Sequence, residues 1–268
     1  MSAEAVVLAL FLGFWIGVSL GLLGGGGSIL TVPALVYLVG LTPQASVTAS
    51  LAIVGLNSAI GAFFHHRSMG IRWKVTLVFG GAGMVTAYFA GGLSQGISSS
   101  VLMTFFALLM LLVGGLLLLQ KRPEPMDGGE SFQPGRRELL LALVSGTVVG
   151  VLTGVLGVGG GFLIVPALVL LVKMPVAHAV GASLAIIAAN SFAGLLGHMG
   201  GDWNLLIIGI FVVSGAAGTL VGTRLSRRLP AQVLRKGFAV FVLVLGVFLL
   251  VDHAPNALAT LRLFGMAG

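Results

Sequence analysis

Ten apolar stretches, none with an acidic residue in its interior, constrain this chain more than any other feature. They cover roughly residues 4–23, 28–40, 44–65, 73–92 and 98–119, then 138–156, 161–173, 176–198, 204–224 and 230–251. The seven acids (Glu4, Glu124, Asp127, Glu130, Glu138, Asp202 and Asp252) lie outside these stretches or at their ends. Only 8% of the residues are charged, against about a quarter in soluble domains. Most stretches approach the 20 or so residues that a membrane span needs. In lipid each backbone polar group must be paired within its own segment, and no stretch alternates as a barrel strand would, so all are expected to be helices. The net charge of +7 is no nucleic-acid signal, because the basic residues sit in short loops and no stacking aromatics are interleaved with them. Cysteine is absent, which removes disulfides and thiolate chemistry. Residues 5–23 lack a basic leader and have an internal counterpart, so they are expected to be a retained helix rather than a signal peptide.

The second notable feature is duplication. Gly21-Leu22-Leu23-Gly24-Gly25-Gly26-Gly27-Ser28, followed by Pro33-Ala34-Leu35, returns 133 residues later as Gly154-Val155-Leu156-Gly157-Val158-Gly159-Gly160-Gly161, followed by Pro166-Ala167-Leu168. At the same offset Ser50 meets Ser183, Asn57-Ser58 meets Asn190-Ser191, Gly61 meets Gly194 and His65 meets His198. Two membrane repeats of about five helical segments follow: 1–119 and 138–251, joined by a polar linker, 120–137, and closed by a tail, 252–268.

Charge orients them. The loop 65–74, the linker and the loop 224–236 carry most of the Lys and Arg, so they are assigned to the cytoplasm. Loops 92–98 and 199–203 are nearly uncharged and are assigned outside. In the first half the loop after segment three is basic and the next neutral; in the second half the order reverses. The repeat is therefore expected to be inverted, with a pseudo-twofold axis in the membrane plane. Segments 28–40 and 161–173, about 13 residues each, are too short to cross readily and follow glycine clusters. They are expected to be broken or re-entrant helices after glycine turns inside the membrane, although two full crossings also fit the charges.

The glycine runs are the first candidate site. Glycine allows positive φ and close backbone approach to a ligand, and the first N–H groups of a helix lack internal acceptors and attract anions. Gly25, Gly26, Gly27 and Ser28, with Gly159, Gly160 and Gly161, are thus candidate substrate contacts, and tight helix packing is the plainer alternative. Ser50 and Asn57, and their copies Ser183 and Asn190, share helical faces at seven-residue spacing. They are candidates either for substrate contact or for interhelical bonds that hold the glycine turns. His65 and His198 are candidates for gating or proton transfer, with interfacial packing the plainer reading. No metal site or cofactor is expected. Intramembrane carboxylates commonly mark cation paths and proton relays; their absence suits an anion held by neutral donors.

These residues place the chain near a known family. The glycine-rich run, the short helix with Pro-Ala-Leu and the Ser–Asn helix, in two copies over nearly the whole chain, resemble the sulfite exporter TauE/SafE family. The resemblance implies a multi-pass transporter of the bacterial cytoplasmic membrane. It also implies a small sulfur anion as substrate (sulfite, thiosulfate or an organosulfonate such as sulfoacetate), with export favoured and alternating access as the mechanism. The expected partners are that anion and the lipid bilayer, with no nucleic acid. Proton coupling and oligomeric state, a homodimer included, are open. An anion channel and, more remotely, an intramembrane enzyme are the rival readings.

Overall fold

The computed structural model describes residues 3–69, 72–94, 98–119, 135–157, 160–174, 176–198, 204–225, 236, 239–240 and 242–252. Within the described residues the expected apolar stretches are helical: α1 (Ala3–Leu23), a short broken helix α2 (Gly26–Leu38), α3 (Pro43–Met69), α4 (Trp73–Ser94), α5 (Ser99–Leu119), α6 (Arg136–Leu156), α7 (Gly161–Leu170), α8 (Val176–Gly197), α9 (Leu205–Leu225) and α10 (Val242–Asp252). Most of the expected stretch 230–251 before residue 242 lies outside the described residues. Among the described residues there is no strand. Helix ends follow local chemistry. Pro43 opens α3, where a missing N–H costs nothing, and the Thr42 hydroxyl accepts the Ala45 N–H at 3.3 Å. Asn204 likewise accepts the Ile207 N–H ahead of α9, at 3.2 Å. Gly157 closes α6 in the left-handed region (φ 67°), its N–H bonded to the Thr153 carbonyl at 2.9 Å.

Among the described residues six helices are long and apolar enough to cross a membrane: Val6–Leu23, Pro43–His66, Trp73–Gly92, Arg136–Leu156, His178–Gly197 and Leu205–Leu225. The protein is a polytopic all-α membrane protein. Its polarity is arranged accordingly. Outward stripes on α1 (Val7, Phe11, Trp15) and α6 (Leu140, Val144, Val148) are apolar and exposed at helical spacing. α3 and α8 are the most buried spans, and they hold buried Ser46, Ser50, Asn57, Ser58 and His65, and Ser183, Asn190 and Ser191.

The chain divides into two compact units. One comprises Met1–Gln95 and Pro125–Arg228, the other Gly96–Glu124 and Leu229–Gly268. In the first, glycine ladders bring helices to backbone contact. Gly13 lies against Phe211 and Ser214, Gly17 against Gly215, and Gly21 against Thr219 and Gly222, so α1 and α9 run parallel. On α6, Gly146 lies against Phe79, Gly150 against Gly83 and Gly154 against Ala87, so α6 and α4 also run parallel. Such four-residue spacing of small residues is the usual means of close helix approach in lipid. α3 and α8 cross in opposite directions: Leu51 meets Gly194, Gly55 meets Ser191, Gly61 meets Leu184 and His65 meets Gly181. α9 follows α3 (Asn57 at Gly215, Thr219 at Gly61), and α4 follows α8 (Gly83 at Asn190, Gly91 at His198). The directions therefore form two sets, α1, α3 and α9 against α4, α6 and α8. In the second unit α5 and α10 pack antiparallel, with Gly114 against Leu243 and Gly246 against Met110 and Leu111.

Candidate functional site

Both glycine turns are buried, and they touch. α1 is followed by Gly24 (φ 65°) and Gly25 (φ 117°), left-handed conformations that favour glycine. The Gly25 N–H bonds back to the Leu20 carbonyl at 3.1 Å, and Gly25 in turn accepts both the N–H (3.1 Å) and the hydroxyl (2.7 Å) of Ser28. α2 then doubles back, with Gly27 against Ser19 and Leu20 of α1. It starts as a 3-10 helix over Gly26–Leu30 and loosens to a π turn over Ala34–Leu38, just after Pro33 removes a backbone donor. On the other side Gly160 (φ 66°) precedes α7. The runs meet at Gly25 and Gly161: a methyl group on Gly25 would lie 2.7 Å from the Gly161 Cα. Gly159 lies outside the described residues.

Ser50 and Ser183 act on these turns. The Ser50 hydroxyl donates to the Gly157 carbonyl at 2.7 Å, and the Ser183 hydroxyl donates to the Gly24 carbonyl. The two bonds are the same bond at the 133-residue offset. Of the two roles open to these serines, this is the one that holds the glycine turns. Ser50→Ala and Ser183→Ala should each cost about 1–3 kcal/mol, the price of leaving a buried carbonyl unsatisfied. Thermal melting in detergent checks this, and unchanged melting in both variants would show that the serines are not staples.

The asparagines behave differently. Asn190 is fully buried, and neither its Oδ1 nor its Nδ2 has a hydrogen-bond partner. Asn57 is 2% exposed, and its Oδ1 is also unpartnered. Asn57 and Asn190 do not converge on one point with the glycine turns: the Asn57 amide is lodged against Gly215 of α9, the Asn190 amide against Gly83 of α4. Each glycine gives its asparagine room that any Cβ would fill. Further buried hydroxyls lack partners at Thr31, Ser58, Thr153, Ser191 and Thr219. Buried polar groups without partners are rare in proteins, and a bound solute or an ordered water would satisfy them. Of these, Thr31 beside Ser28 was legible in the sequence as a hydroxyl donor, whereas Thr153 and Thr219 were not, nor were Gly83 and Gly215. Glycine spacing on α4 and α9 was the available signal for the last two, but spacing does not say which side chain a glycine faces.

The histidines sit at opposite ends of the α3–α8 pair. His65 packs on Gly181, and His198 packs on Gly91 with its Nδ1 2.8 Å from the Gly194 carbonyl oxygen. Both are buried. Among the described residues no three His, Asp or Glu side chains gather as metal ligands. The buried polar groups of α3 and α8 are thus neutral amides and hydroxyls, several of them unengaged, set against glycine-bearing helices. They can hydrogen-bond a small polar solute without opposing its charge.

Relatives of similar length align with nearly the whole chain. The chain is 31% identical over 254 residues to a "Probable membrane transporter protein" of Xylella fastidiosa (strain Temecula1), covering 93% of this chain and 97% of that one. The counterpart from strain 9a5c is 30% identical over 256 residues, with the same coverage. "Probable membrane transporter protein YdhB" of Bacillus subtilis is 25% identical over 246 residues, covering 91% and 99%. No solved structure matches significantly. The family profile described as Sulfite exporter TauE/SafE matches residues 9–249. The chain therefore belongs to the sulfite exporter TauE/SafE family of membrane transporters.

Proposed function

We propose that this protein moves a small sulfur oxyanion, with sulfite the first candidate, across the cytoplasmic membrane by alternating access, with export favoured. The observation that carries this reading is the set of buried, unpartnered neutral groups on the two central helices, Asn190 above all. Lipid-embedded helices tolerate such groups where a partner or a transport path satisfies them. The family's printed description supplies the sulfur anion. In this reading the glycine turns let α2 and α7 approach each other closely. The N–H groups at the starts of these helices add positive dipole ends beside the path. Ser50 and Ser183 fix the turns, while Asn57 and Asn190 touch the solute. In this reading His65 and His198 gate the two ends.

The opposed directions of α1, α3 and α9 against α4, α6 and α8 support an inverted-repeat carrier. Matched helices α1 and α6, α3 and α8, and α4 and α9 fall in opposite sets, and exchanging the halves maps the Ser50–Gly157 bond onto the Ser183–Gly24 bond. Rocking of one half against the other about the α3–α8 crossing would expose the path to each side in turn. Purified protein in liposomes loaded with sulfite should accelerate the exchange of radiolabelled sulfite, with saturation and counterflow. Unsaturable flux would favour a channel instead. The absence of flux for sulfite, thiosulfate and sulfonates alike would refute the reading.

A further inference from the structure

We infer that the anion is carried in its singly protonated form, as hydrogen sulfite rather than the sulfite dianion; the inference rests on the transport reading above. It comes from the chemistry of one side chain. An amide offers a donor, Nδ2–H, and an acceptor, Oδ1, side by side. At Asn190 both are buried and both lack partners; at Asn57 the acceptor does. A fully ionised oxyanion has acceptors only. It would satisfy Nδ2 and set its own oxygens against the lone pairs of Oδ1. An oxyanion that keeps one proton on oxygen has an O–H next to an acceptor oxygen. It closes a two-bond ring with the amide, O–H donating to Oδ1 and Nδ2–H donating to the neighbouring oxygen. The Asn190 amide is lodged against Gly83, where any side chain would displace it.

Charge favours the same form. Within the described spans no Lys or Arg lies near Asn190 to offset a dianion. The elements packed against α8 carry His65, His66 and Arg67 on α3, Lys74 and Tyr88 on α4, and Arg136, Arg137 and Glu138 on α6, while α8 itself has His178 and α8's end His198. All stand more than one helical turn from the level of Asn190, Gly83 and Gly150. Desolvation of an ion grows with the square of its charge, so a dianion would cost about four times as much to bury as a monoanion. A protein that holds only neutral groups at its centre therefore selects the lower charge. The transported proton travels on the substrate, and no titrating side chain is required.

The test uses the full-length protein in liposomes, with radiolabelled sulfite at fixed total concentration and the pH varied across sulfite's second ionisation. The expected initial rate follows the hydrogen sulfite fraction, falling about tenfold per pH unit above that ionisation. His65→Gln and His198→Gln should leave this pH profile in place, since the substrate sets it. Sulfate, a dianion, and methanesulfonate, a monoanion without an O–H, should both compete poorly with sulfite for uptake. Rates that stay level or rise with the dianion fraction overturn the inference while leaving sulfite transport standing. So does competition by methanesulfonate as strong as that of unlabelled sulfite, because it would show that charge alone is recognised. A pH profile that moves with either histidine substitution also overturns it. Absence of all sulfite flux overturns the transport reading itself.

Discussion

Asn190→Leu should yield a protein that melts higher than the parent and hardly transports. The residue is fully buried, and neither polar atom of its amide has a partner. Replacing an unsatisfied buried polar group by an apolar one of similar size removes a desolvation penalty of about 1–3 kcal/mol. The same change deletes the hydrogen bonds proposed to hold the anion. Bonds to a charged group contribute about 1.5–3 kcal/mol, so transport should fall about 10- to 100-fold. Opposite movement of stability and function is the mark of a site held in readiness for a ligand. Thermal melting in detergent and sulfite exchange in liposomes read the two halves of the prediction. A less stable variant would mean that Asn190 holds the fold together, through a bond to its surroundings on α4. An unchanged exchange rate would mean that the anion passes elsewhere.

Gly25→Ala should be severely damaging, and Gly161→Ala should be clearly milder. Both residues would drive the new methyl into the facing glycine, with Cα atoms 2.7 Å and 2.6 Å from it. Overpacking of this kind costs about 1–3 kcal/mol. Gly25 also has φ 117°, whereas Gly161 sits in an ordinary helical start. A left-handed backbone adds about 1–2 kcal/mol for an L-residue. The difference between the two variants, measured by melting and by the yield of monodisperse protein, isolates backbone conformation from packing. Equal losses would show that contact between the runs, rather than the turn itself, sets the requirement.

Much of the architecture was legible in the chain because lipid leaves few options. A stretch such as 138–156, apolar on all sides and bounded by Arg136, Arg137 and Glu138, can only be a helix with its charges at one end, and α6 is that helix. The short segments 28–40 and 161–173 were also legible, since a glycine run ahead of 13 residues breaks a span, and α2 and α7 are the short helices there. The duplication pointed to the residues that matter: Ser50 and Ser183, Asn57 and Asn190 all lie buried on the two central helices. Their roles were not legible. Seven-residue spacing places Ser50 and Asn57 on one helical face, but it cannot say that the serine reaches a glycine carbonyl 107 residues away while the asparagine turns to another helix.

Sequence alone thus determined the class of the molecule, the helical state of its segments, their repetition and the neutrality of the interior. Each follows from composition or local order, because burial in lipid penalises charge and unpaired backbone wherever they fall along the chain. Tertiary structure decided which glycines make room for which side chains: Gly25 for Gly161, Gly215 for Asn57, Gly83 for Asn190. Those pairings depend on the crossing of α3 and α8 and on which helix lies beside each. Crossing geometry arises from close packing between segments distant in sequence, and no local pattern encodes it.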